Sequence, residues 1–300
     1  MRVVIFGAGA IGSLFGAFLS KQHDVILIGR KEHVEMINSN GLRIYGKTIF
    51  HKKLSAVRSV DEVKGEVDLL LLTVKSFDTY DAIRQTRSII SKDTLILTFQ
   101  NGLNNIDIIQ SFISKDQILA GITTHGVVFS APGIIHHTGI GRTIIGELDG
   151  SVSSRLNDVV KGFNDVGISI SISDDIMQDI WRKGIVNSSI NPLTAIFKCN
   201  NGYILDNPVL YHLLSCLCDE SVKAARSAGY DLSKEEMINQ TIQVINETRD
   251  NRSSMLQSVE KGSKTEIDSI NGIIVTIGKK NNLSVILNES VCFIIKQLYS

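Results

Sequence analysis

Apolar residues in the first half of the chain come in short unbroken runs. Val3-Val4-Ile5-Phe6, Val25-Ile26-Leu27-Ile28, residues 68–74 and residues 94–98 are the clearest. Runs of this length without alternation predict parallel strands buried on both faces. The stretches between them carry apolar residues at helical spacing and predict helices over 11–21, 32–38, 80–90 and 106–112. Residues 41–52 alternate around Gly46 and predict a small hairpin. Residues 118–147 are β-rich, with turns at Pro132-Gly133 and residues 139–141. A helix over 151–163 and a strand over 168–171 close this part near Ser173.

The second half changes period. Asp174 and Asp175 are placed to cap a helix running through 181–190. Asn207-Pro208 starts another, with Asn as cap and Pro at the first helical position. Ser233 and Glu236 have capping-box spacing before a third. Residues 265–278 and 284–298 are two more apolar-periodic stretches. Strands alternating with helices, followed by helices alone, predict a first domain over 1–173 and an all-α second domain over 174–300.

The chain begins on its most informative stretch. The run 2–6 leads into Gly7-Ala8-Gly9-Ala10-Ile11-Gly12, a G-x-G-x-x-G spacing between a strand and a helix. Gly7 permits the tight turn, Gly9 leaves room for a pyrophosphate, and Gly12 lets helix and strand pack closely. The helix N-terminus offers free N–H groups to phosphates. The first domain is thus expected to be a Rossmann-type doubly wound sheet, in an α/β protein with an all-α C-terminal domain. An acidic residue after the second strand would suit the ribose of NAD; this chain has Arg30, whose planar fork suits the 2′-phosphate of NADP. The alternative for Arg30 is an ordinary exposed arginine, and Glu32 close by is placed to serve a ribose. Lys75 and Asn101 also fall at strand ends, where ligands collect in such sheets, although a solvated surface lysine is an equal reading of Lys75.

Composition narrows the partners. The chain has 31 basic and 31 acidic residues, which argues against nucleic acid or an anionic membrane surface as its main partner. No apolar run is long enough to span a bilayer, and the N-terminus does not read as a signal peptide. Cys199, Cys216, Cys218 and Cys292 show neither zinc nor disulfide spacing. They read as reduced thiols of a cytoplasmic protein. His136 and His137 point to opposite sides of an extended segment and read as structural, so no metal is expected.

Two later stretches carry chemistry. Lys183, Asn187 and Asn191 are spaced by four on one helix face among apolar neighbours. A cleft lining is expected, against the alternatives of a snorkelling Lys183 and of Asn191 as cap of a helix beginning at Pro192. Asn251 and Ser254 are three apart, on a common helix face. Glu266 is read either as a site carboxylate or as a residue stabilising the first turn of the next helix.

Taken together, Gly7–Gly12, Lys75-Ser76, Gln100-Asn101-Gly102, Trp181-x-Lys183 with Asn187 and residues 191–195, and residues 253–257 followed by 265–268 and 270–272 resemble the ketopantoate reductase (2-dehydropantoate 2-reductase) family over essentially the whole chain. The resemblance implies NADPH-dependent reduction of a 2-oxo acid. It implies Lys183 as proton donor and Glu266 as the carboxylate holding the substrate hydroxyl. Asn101, Asn187, Asn191, Asn251 and Ser254 would surround substrate and nicotinamide, Lys75 would lie near the cofactor, and Arg30 would hold the NADP phosphate. The chain departs from the family pattern at Phe77-Asp78-Thr79 and at Gly262-Ser263-Lys264, which bears on cofactor affinity and substrate. A reductase acting on another 2-oxo acid and a non-catalytic NADP-binding sensor are the competing readings. The apolar helical half is expected to support a homodimer.

Overall fold

The computed structural model describes residues 1–298; residues 299 and 300, the end of the expected second domain, lie outside the described residues. The chain forms two compact units. The first holds residues 1–100 and 105–177, the second 101–104 and 178–300. The break therefore falls inside a helix, four residues beyond the expected boundary, and a loop of the first half belongs to the second unit. A helix and a four-residue loop carry no compositional signal of a linker, so neither feature was visible in the sequence.

The first unit runs β1 (Arg2–Phe6), α1 (Ala10–Leu19), β2 (Asp24–Ile28), α2 (Lys31–Asn40), β3 (Leu42–Gly46), β4 (Phe50–Lys52), β5 (Ser55–Val57), β6 (Leu69–Leu72), α3 (Thr79–Thr86), β7 (Leu95–Thr98), α4 (Asn105–Gln110), β8 (Ile118–Thr123), β9 (Gly126–Ala131), β10 (Ile134–Gly139), β11 (Thr143–Glu147), α5 (Ser154–Asn164) and β12 (Ile170–Ile172). Eight strands form one sheet in the order β12-β11-β8-β7-β6-β1-β2-β5. Its pairings are parallel except β8 with β11. Val3, Val4, Ile5 and residues 69–72 are almost wholly buried, as continuous apolar strands require when helices cover both faces. The chain leaves β1 toward β2 and β5, then returns to β6 on its other side. The ends of β1 and β6 thus mark the switch point where doubly wound sheets bind ligands.

The expected hairpin over 41–52 forms as β3 and β4, but it is half of a larger object. β3 pairs in parallel with β10, giving a second sheet, β4-β3-β10-β9. That pairing joins segments about ninety residues apart, so no local pattern announces it. His136 stacks on Tyr45 across it, with ring centroids 4.4 Å apart. His137 is buried and exchanges hydrogen bonds with Thr48 and His125.

The second unit is helical: α6 (Ile176–Phe197), α7 (Tyr203–Asp206), α8 (Pro208–Ser227), α9 (Lys234–Glu247), α10 (Ser254–Glu260), α11 (Asn271–Lys280) and α12 (Ile286–Gln297). The Asn207 side chain caps α8 by accepting from the Val209 and Leu210 amides, with Pro208 at the first helical position. Ser233 caps α9 by accepting from the Glu236 amide at 3.0 Å. The other half of the box is spent elsewhere, because the Glu236 carboxylate pairs with Arg182. Trp181, Ile185, Ile190, Leu214, Met237 and Ile274 are among the residues that build the core of this unit.

Candidate active site

In the first unit, Gly7 has φ +106, and a methyl on it would lie 2.5 Å from the Val74 amide. A side chain at Gly12 would overlap the Gly7 carbonyl and the Thr73 hydroxyl. Gly9 is different: the nearest atom to its missing Cβ is 3.9 Å away. Two glycines are required by the fold itself, while the third faces open space where a phosphate fits. The Ser13 amide makes the first helical bond, to the Gly9 carbonyl at 3.0 Å. The amides of Ala10, Ile11 and Gly12 precede that bond and point out of the helix start.

Three residues that the sequence reading passed over hold this turn. Thr73, just past β6, donates to the Gly7 carbonyl at 2.8 Å. Ser13 donates to the Ala8 carbonyl at 3.4 Å and lies 3.0 Å from His33 Nε2. His33 Nδ1 accepts from the Gly133 amide at 2.8 Å. The ring proton therefore sits on Nε2 and is given to Ser13. Burial holds the His33 pKa down at about 4, so this polarity persists at neutral pH. Short polar side chains at strand ends and on buried helix faces were the available signal. Arg30 is exposed at the start of α2, two residues past β2. Lys75 is exposed past β6, and its carbonyl accepts from the Asp78 amide at 2.8 Å.

In the second unit, Lys183, Asn187 and Asn191 lie along one face of α6, with Asn191 almost wholly buried. Asn191 caps nothing, because α6 runs unbroken through Pro192 to Phe197. The expected helix start at Pro192 is corrected accordingly. The Lys183 ammonium donates to Asn101 Oδ1 at 2.8 Å. Desolvation lowers the Lys183 pKa to about 8, against an opposing pull from the Glu266 carboxylate. Gly184 admits the 101–104 loop: a methyl there would lie 2.5 Å from Leu103 Cδ2. The Leu103 amide in turn donates to the Ser269 carbonyl at 2.9 Å. The loop is thus tied to α6 and to the turn that carries Glu266.

Two further expectations are corrected. Glu266 does not stand in the first turn of a helix. It occupies a separate turn, its carbonyl accepting from the Ser269 and Ile270 amides, and α11 begins only at Asn271. Its side chain is buried, and with no helix start at this position the macrodipole account fails. Asn251 and Ser254 share no helix face, because α10 starts at Ser254 and Asn251 lies in the exposed segment before it. Ser253 caps α10 and receives a 2.7 Å hydrogen bond from Thr194. Lys183, Asn101 and Glu266 are brought together, with Asn187 and Asn191 on the same helix face as Lys183; Arg30, Lys75 and the glycine turn belong to the other unit.

Residues 3–150 match the family described as ketopantoate reductase PanE/ApbA, and residues 175–299 match its C-terminal part. The chain belongs to the ketopantoate reductase family. A 2-dehydropantoate 2-reductase of Pyrococcus abyssi is 39% identical, over 99% of this chain and 97% of its own length. Among solved structures, a PanE/ApbA family ketopantoate reductase from Ralstonia eutropha JMP134 is 28% identical with a TM-score of 0.92, covering 100% of this chain and 98% of that one. D-mandelate dehydrogenase, solved with NADH and anilino(oxo)acetate, is also 28% identical, with a TM-score of 0.94 over the same shares. Family members thus share both units of this chain, and one similar structure binds a nicotinamide nucleotide.

Proposed function

We propose that this protein reduces 2-dehydropantoate to pantoate with NADPH, the step that serves pantothenate and coenzyme A synthesis. The observation that carries the reading is Lys183: a lysine on a helix face, hydrogen-bonded to Asn101, opposite a buried carboxylate, with its pKa drawn down to about 8. A group with that pKa holds a proton at neutral pH and parts with it readily, which is what general-acid catalysis asks for.

The open side of Gly9 and the outward amides of Ala10–Gly12 fit a pyrophosphate, and together with Ala8, Lys75 and Asn101 would hold the cofactor. When bound, the cofactor supplies a hydride to the carbonyl carbon of the substrate. Lys183 stabilises the negative charge growing on the carbonyl oxygen and gives it a proton. Glu266 keeps Lys183 charged and accepts from the substrate hydroxyl. Asn101, Asn187, Asn191, Asn251 and Ser254 supply hydrogen bonds to the rest of the substrate. Exposed Arg30 selects the 2′-phosphate of NADP. The first unit serves as the NADP-binding domain and the second as the substrate domain. No described helix is long and apolar enough to cross a membrane, and the reading places the protein in the cytoplasm. Val209 and Phe293, exposed on α8 and α12, support a homodimer formed through the helical unit.

The test is loss of NADPH absorbance on adding 2-dehydropantoate, with NADH and other 2-oxo acids in parallel. Arg30→Ala should weaken NADPH by about tenfold or more, the worth of charge-assisted hydrogen bonds, and leave NADH nearly unchanged; equal effects on both would remove the cofactor assignment. The likeness to D-mandelate dehydrogenase favours one second reading, a reductase of a different 2-oxo acid. Turnover of an aryl 2-oxo acid in preference to 2-dehydropantoate would decide for it.

A further inference from the structure

Helix α6 contains Pro192 between Asn191 and Leu193 and yet continues to Phe197. A proline inside a helix has no N–H for the carbonyl four residues back. Here that carbonyl belongs to Ser188, which is wholly buried. It sits in the turn of α6 that separates Asn187 from Asn191. A buried carbonyl deprived of its donor is costly. Asn271, the first residue of α11, supplies a replacement: its Nδ2 donates to the Ser188 carbonyl at 3.0 Å. The same nitrogen donates to Asn288 Oδ1 at 3.0 Å, and Asn288 Nδ2 donates to Glu220 Oε2 at 2.9 Å. Glu220 also accepts from the Leu287 and Asn288 amides at the start of α12. Four helices are held to one carbonyl by this chain. Asn271 keeps the arrangement although its own Oδ1 is buried without a partner. The amide nitrogen, then, is what the position requires.

We propose that Asn271 is a positioning residue: it replaces the helical hydrogen bond that Pro192 removes, and so fixes the spacing of Asn187 and Asn191 along α6 relative to the turn carrying Glu266. The proposal rests on the proposed function in assigning those residues to the substrate. Asn271 lies five residues beyond Glu266, so one short segment both places the carboxylate and secures the helix bearing Lys183.

The test is a double-mutant cycle between Asn271→Ala and Pro192→Ala, read by thermal unfolding and by steady-state kinetics. Pro192→Ala restores a backbone N–H to the Ser188 carbonyl. The lost contact to Asn288 is common to both backgrounds and cancels. In the Pro192 background, Asn271→Ala should lower the melting temperature by about 4 °C or more. It should cut kcat/KM for 2-dehydropantoate roughly tenfold or more, with KM for NADPH unchanged. In the Pro192→Ala background both losses should shrink to less than half. Equal losses in the two backgrounds would overturn the proposal. Should Asn271→Ala fail to fold, Asn271→Leu, which keeps the branched shape and removes the unpaired Oδ1 as well, enters the same cycle. Wild-type protein that does not turn over 2-dehydropantoate would defeat the proposed function, while the melting cycle would still decide the coupling of Asn271 to Pro192.

Discussion

The two units build their sites from different materials. The first uses backbone: one open glycine, three amides at a helix start and a turn held by Thr73 and Ser13. The second uses side chains: a lysine, a carboxylate and asparagines gathered from α6, the 101–104 loop and the turn before α11. A backbone site is damaged by adding atoms and a side-chain site by removing them. On the proposed function the first recognises charge, which repeated N–H groups suffice to bind. The second, on the same reading, must move a proton, which needs a titratable group in a controlled environment.

The largest expected effect follows from the second site. Lys183→Ala should lower turnover roughly a thousandfold, within the usual reach of general-acid catalysis, while leaving the Kd for NADPH within about twofold of wild type. Loss of NADPH binding of similar size would show that the two sites are not separable in this way. The mirror experiment is Gly9→Ala. The open space around its Cβ position predicts an unchanged melting temperature. A methyl facing the phosphates should weaken NADPH by about tenfold or more. A large fall in stability would mean that Gly9, like Gly7 and Gly12, serves the fold.

The smallest effect is a displacement of a pH profile. Lys183 loses its proton as pH rises through about 8, so reduction should be sustained below that pH and decline above it. The Glu266 carboxylate favours the charged ammonium. Glu266→Gln should therefore move the alkaline limb of kcat/KM to lower pH, in addition to any loss of rate. A limb that stays in place, or moves upward, would separate Glu266 from the titration of Lys183.

Much of the first site could be read along the chain because its parts are consecutive. Gly7 to Gly12 are six residues, and their meaning depends on a strand before and a helix after, both visible as local periodicity. The spacing of Lys183, Asn187 and Asn191 was legible for the same reason. What could not be read were contacts across long separations. Lys183 and Asn101 are 82 residues apart, and nothing near either announces the other. Gly184 reads in the sequence as any helical glycine, and only the fold sets Leu103 against it. Asn251 and Ser254 misled because a spacing of three means a shared face only inside a helix, and the helix starts at Ser254, three residues past Asn251.

Glu266 and Pro192 show the same limit at the level of single residues. A carboxylate near a helix start has a local explanation, and the structure removes it by ending the turn at Ile270. A proline preceded by asparagine reads as a helix boundary, since proline costs a helix interior about 3 kcal/mol. α6 passes through it because Asn271, 79 positions further on, meets the orphaned carbonyl. The sequence alone determined most of the elements, the order of the two architectures, the glycine turn and the residue types available for chemistry, because periodicity and turn chemistry act over a few residues. Tertiary structure alone decided which polar groups meet, which carbonyls find donors and how far Lys183 is desolvated. Those depend on the distance between parts of the chain, which local pattern does not encode.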